Sequence, residues 1–104
     1  MSKYKPIDIW NERYGNEEER PDYCGRSMKK SACGNPNSAF EPTIDHIRPL
    51  SEGGKDVKEN IELCNYRTNE EKGDNFPHWV ANGNRYKAVK TKYVANGYTI
   101  VSDD

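Results

Sequence analysis

The chain has 104 residues and a formal net charge of −1, with 33% hydrophobic and 32% charged side chains. That length suits one domain, residues 1–104, with a small core, and the seven Tyr and two Trp must supply much of its apolar area. No apolar run reaches the length of a membrane-spanning helix, and residues 1–5 lead into no signal-type apolar stretch. The expectation is therefore a soluble cytoplasmic protein with no membrane partner.

In chain order, Ile7, Trp10 and Tyr14 recur at helical spacing after Pro6, and Gly15 can take a left-handed cap, so a short helix is predicted over about 6–14. Residues 16–21 read as an exposed acidic linker. Residues 22–28 suit a tight hairpin turning at Gly25, followed by a basic segment to Cys33 and a break over 34–38. Residues 40–46 read as a strand, with Pro42 near its edge. A long loop with Gly53 and Gly54 follows over 47–60, then a return strand to Tyr66. Thr68 and Glu71 have capping-box spacing, which predicts a helix starting at Thr68 and ending at Gly73. The order is strand, loop, strand, helix.

Val-Ala-Asn-Gly occurs twice, at 80–83 and 94–97, and Asn-Gly between β-rich runs signals a hairpin. A β-hairpin or meander is predicted over about 79–102, with its central strand over 85–93. Trp79, Tyr86, Val89, Tyr93 and Tyr98 are expected to form its packing face, in preference to a platform for stacked bases. The fold class is α+β.

Cys24, Cys33 and Cys64 are an odd set, which cannot close as disulfides within one chain, and no Cys-x-x-Cys occurs. Three cysteines with His78 could still gather a zinc ion, but no spacing favours it, and free buried thiols are expected.

The chemistry concentrates in residues 39–74. Asp45 and His46 are adjacent at the end of a strand, Asn60 stands where the loop ends, and Asn69 precedes Lys72 by three. A carboxylate, an imidazole and a carboxamide oxygen are what a divalent cation and an activated water require. Read singly, His46 could equally be a capping or core histidine, and Asn60 an ordinary turn residue. The ordered set is harder to explain so.

Ile44-Asp45-His46-Ile47-Arg48-Pro49-Leu50-Ser51, Gly53-Gly54, Asn60-Ile61 and Asn69-x-x-Lys72-Gly73-Asp74 together resemble the HNH endonuclease motif, in a variant with Asn at the third signature position. The resemblance covers about a third of the chain and implies a ββα-metal core and a divalent-metal phosphodiesterase. It implies Asp45 and Asn69 as metal ligands, His46 as the base that activates water, and Asn60 as the residue that orients the histidine loop. Mg or Mn is the expected ion, with Ni, Co or Zn as alternatives. Many members carry a structural zinc on two Cys-x-x-Cys pairs, which this sequence lacks, so no structural zinc is expected. DNA is the implied substrate and partner, with 5′-phosphate and 3′-hydroxyl products.

A net charge of −1 is unusual for a nucleic-acid enzyme. Its distribution is more favourable. Residues 24–37 hold Arg26, Lys29 and Lys30 and no acid, and residues 75–101 hold Arg85, Lys87, Lys90 and Lys92 and no acid. The expected phosphate contacts are Lys29, Lys30, Arg48, Lys55, Lys72, Lys90 and Lys92, the last two sharing a face if the strand continues through both. The resulting expectation is an endonuclease that nicks or cuts DNA, in a bacterial or phage-infected cell, as a homodimer or with a partner that supplies specificity. Two alternatives stay open: a catalytically silent nucleic-acid-binding module, and a small zinc-stapled adaptor.

Overall fold

The computed structural model describes residues 2–104, and these form an α+β structure of two helices and seven strands in three antiparallel sheets. Helix α1 spans Pro6–Tyr14 as its periodicity predicts, with proline in its first turn and the Gly15 N–H donating to the Asn11 carbonyl. Its buried side chains are Ile9 and Trp10, and Ile7 is only half-buried. Ile9 and Trp10 pack with Met28 and Leu63 as one core cluster, and the Trp10 indole donates to the Glu17 carbonyl at 2.8 Å.

The expected acidic linker is partly a strand. Glu19–Pro21 (β1) pairs with Ser27–Lys29 (β2), and the turn between them carries Gly25 at φ +91°. A three-residue strand is too short to show a period, so only the turn at Gly25 is visible in the sequence.

Strand β3 (Pro42–His46) pairs with β4 (Ile61–Asn65), placing Asp45 opposite Glu62 and His46 opposite Ile61. Helix α2 (Tyr66–Lys72) follows without a gap. The predicted order of strand, loop, strand and helix is therefore present, but the predicted cap is not. Asn65 caps α2, its side chain accepting from the Arg67 N–H at 2.9 Å. Thr68 lies inside the helix, where its hydroxyl donates to Asp22 at 2.6 Å, and Glu71 turns to Arg26 and to the Asn82 N–H. A buried carboxylate and a guanidinium are stronger partners than the cap positions. Asn69 consequently sits mid-helix, away from the helix N-terminus. Gly73 ends α2 at φ +53°.

The C-terminal sheet has the order β5 (His78–Ala81), β6 (Asn84–Lys90), β7 (Tyr98–Ser102). The hairpin predicted at Asn82-Gly83 is present, and both residues have the positive φ that a type I′ turn requires. The second Asn-Gly does not turn a hairpin by itself, because it lies within the longer loop 91–97. Strand β6 stops at Lys90, so Lys92 is a loop residue and the shared strand face expected for this pair does not form.

Trp79 and Ala81 form a second cluster with Cys24, against which Tyr23, Tyr86, Ala88 and Ile100 pack. Val89 alternates to the other face of β6 and is exposed. Tyr93 is 101% exposed. Those two leave the packing face that the sequence suggested, whereas Trp79 and Tyr86 remain on it. Among the described residues no helix is long and apolar enough to cross a membrane.

Candidate active site

The end of β3 and the middle of α2 bring Asp45, His46 and Asn69 to one pocket of about 250 Å³, also lined by Asp74 and the loop residues Pro49, Leu50 and Ser51. Asn69 donates through Nδ2 to the Thr43 hydroxyl and the Ile44 carbonyl, each at 3.0 Å. Both bonds use the amide nitrogen, so its Oδ1 remains as the acceptor.

Asp45 is 4% exposed. Its Oδ1 accepts from Lys72 Nζ at 3.3 Å, and its buried Oδ2 has no partner. Burial pushes the carboxyl up to about 6, against the opposing pull of the Lys72 ammonium. An unpartnered buried carboxylate oxygen costs about 1–3 kcal/mol or more. A divalent cation would satisfy it, and one carboxylate oxygen with one carboxamide oxygen at an open pocket fits such an ion. Asp45 and Asn69 are the residues that would hold it.

His46 Nε2 lies 2.8 Å from Asp56 Oδ1. The imidazole, the Lys3 N–H and the Ser2 hydroxyl together hold the Asp56 carboxyl well below the ordinary carboxylate range. An ionised Asp56 can only accept, so Nε2 carries a hydrogen and Nδ1 is the ring nitrogen not engaged by Asp56. Sequence reasoning missed Asp56. It lies ten residues beyond His46, and only closure of the loop brings the two together.

That closure is the work of Asn60, which is fully buried. Its Oδ1 accepts from the Arg48 N–H at 2.9 Å, and its Nδ2 donates to the carbonyls of Arg48 and Lys55 at 3.0 and 2.9 Å. One side chain thereby joins both arms of the loop. Gly54 is needed for the same reason: a Cβ there would lie 1.8 Å from the Arg48 carbonyl oxygen.

The basic residues divide. Lys72, expected at a phosphate, has no exposed surface: it donates to Asp45 and to the His46 carbonyl, with its ammonium 5.0 Å from the Trp79 ring centre. The carboxylate, the carbonyl and the indole face draw it inward and offset the cost of burying the charge. Arg48 is engaged with the Glu52 carbonyl and the Tyr98 hydroxyl. Lys30 donates to the Gly15 carbonyl, and Lys29 lies over the Phe40 ring at 4.4 Å. Lys55, Lys90 and Lys92 are exposed and reach no carboxylate.

Beside the pocket, the 22–26 turn is tied to α2 through Asp22. Its Oδ1 accepts from the N–H groups of Cys24 and Arg26, and its Oδ2 from the Asn65 N–H and the Thr68 hydroxyl. The Cys24 thiol lies 3.3 Å from Oδ1, and burial pushes that thiol up. Cys24, Cys33 and Cys64 are free thiols, and His78 is exposed and paired with Asp103. Among the described residues, no three His, Cys, Asp or Glu side chains gather to hold a metal, and carboxamides such as Asn69 lie outside that set.

The HNH endonuclease family model matches residues 22–75, from the Asp22 turn to just past α2. No curated protein and no solved structure matches. The match takes in more than half of the chain and both arms of the pocket, and the chain belongs to the HNH endonuclease family.

Proposed function

We propose that this chain is a metal-dependent endonuclease that hydrolyses phosphodiester bonds in DNA, working from a ββα-metal core over residues 39–74. The observation that carries the reading is the unpartnered, buried Oδ2 of Asp45, a residue that lines one pocket with His46 and Asn69. Mg or Mn is the ion expected on Asp45 and Asn69. When bound, it supplies charge neutralisation at the phosphoryl oxygens and assistance to the leaving oxygen.

The chain's own residues do the rest. His46 Nδ1 accepts the proton of the attacking water, and Asp56 holds the ring through Nε2 and leaves Nδ1 for that task. Asn60 fixes the loop that carries both. Lys72 lies at hydrogen-bonding range of Asp45 and keeps that carboxylate in place. Lys55, Lys90 and Lys92 are exposed bases available to flanking phosphates.

Calorimetric titration with manganese tests the division of roles. Asp45→Asn is expected to abolish measurable binding. It is preferred to Asp45→Ala because asparagine keeps an acceptor oxygen beside the buried Lys72 ammonium, whereas alanine leaves that ammonium only the His46 carbonyl. Asn60→Ala is expected to slow cleavage with little change in metal affinity. Equal loss of metal binding in the two variants would sink the assignment.

A further inference from the structure

The loop 91–97 carries a tyrosine that the fold itself does not use. Tyr93 is 101% exposed, so its ring buries nothing against the chain. Its backbone is nevertheless left-handed at φ +64°, a conformation that bulky residues adopt rarely. Tyr93 lines a shallow pocket of about 470 Å³ formed by residues 90–95, together with Lys90 and Lys92, both exposed. The whole stretch 75–101 contains no acid.

The loop is also fixed to the candidate active site. Gly97 packs on Glu59, where an added Cβ would lie 3.3 Å from the Glu59 Cβ, and residue 59 belongs to the turn that ends in Asn60. The Tyr98 hydroxyl accepts from Arg48 at 3.1 Å, two residues beyond His46. Thr91 N–H donates to the Gly97 carbonyl and closes the loop at its base.

We infer that the β6–β7 loop is a nucleic-acid contact in which Tyr93 stacks on an unpaired or unstacked base while Lys90 and Lys92 take the adjoining phosphates. This rests on the endonuclease reading. An exposed aromatic ring sharing a pocket with two cations matches a base with its neighbouring phosphates in both chemistry and charge, and aromatic stacking tolerates any base. The ties to Glu59 and Arg48 make the contact continuous with the loop that holds His46.

Binding is measured without divalent metal, so that no cleavage intervenes, using a fluorescent single-stranded oligonucleotide over a range of salt. Tyr93→Ala is expected to weaken binding by a factor of about 5 to 150 with an unchanged log–log salt slope, because stacking releases no counterions. Tyr93→Phe should bind as the parent does. Tyr93→Trp should bind and lose indole fluorescence on titration, and both native tryptophans are buried and provide a steady background. The double change Lys90→Ala and Lys92→Ala should flatten the slope by about one unit for each lost phosphate contact.

If Tyr93→Ala binds like the parent while the lysine variant weakens, the loop acts by charge alone and the stacking role is overturned. The stacking role is equally overturned if Tyr93→Ala changes only the oligomeric state, since the ring then packs on a second copy. If the parent protein binds neither single- nor double-stranded DNA, with or without calcium as a divalent ion in place of magnesium, the endonuclease reading itself fails.

Discussion

His46→Ala is expected to slow DNA cleavage about a hundred- to ten-thousand-fold, the usual loss on removing a general base. DNA affinity and thermal stability should change little. The imidazole meets the pocket and Asp56, and Asp56 keeps the Ser2 hydroxyl and the Lys3 N–H as partners once the ring is gone. Asp56→Ala should share part of this loss through a lower kcat at unchanged KM, because the ring would lose the acceptor that holds the hydrogen on Nε2. Asp56→Asn, which retains an acceptor oxygen, should fall less. Single-turnover rates on a plasmid measure all three. Normal cleavage by His46→Ala would show that another group takes the proton.

A large loss of stability is expected on removing Asp22. Its carboxylate joins the 22–26 turn to β4 and α2 by four hydrogen bonds, two of them from residues more than forty positions away. Asp22→Ala would leave buried donors at Cys24, Asn65 and Thr68 without an acceptor. Each orphaned group costs about 1–3 kcal/mol, and a total loss of about 3–5 kcal/mol is expected after local relaxation. For a domain of this size that lowers the melting temperature by more than about 12 °C. The loss should be the same with or without a chelator, because hydrogen bonds make this junction. A melting temperature within about 3 °C of the parent would mean that water replaces the carboxylate at little cost.

How much of the molecule is legible in the sequence depends on distance along the chain. Helix α1, the β3–loop–β4–α2 order and the Asn82-Gly83 turn follow from local signals: a proline before a helical period, a glycine pair within a polar loop, and a dipeptide suited to positive φ. The cap of α2 does not, because Thr68 answers to Asp22, forty-six residues earlier, and no local pattern records that. Asp56 escapes for a related reason, since its bond to His46 exists only once Asn60 has closed the loop. Lys72 looks like a surface base by type, but a buried carboxylate and an indole ring draw it inside. Tyr93 looks like a packing residue by alternation, but β6 stops three residues short of it.

The central claim is that one cation held by Asp45 and Asn69 works with His46 on a phosphodiester. The most direct measurement incubates purified protein with supercoiled plasmid in magnesium, in manganese and in chelator, alongside the Asp45→Asn variant. Nicked or linear products that form with metal, vanish with chelator and are absent for the variant are the predicted result. Cleavage that persists in chelator, or an Asp45→Asn variant that cuts as the parent does, would contradict it.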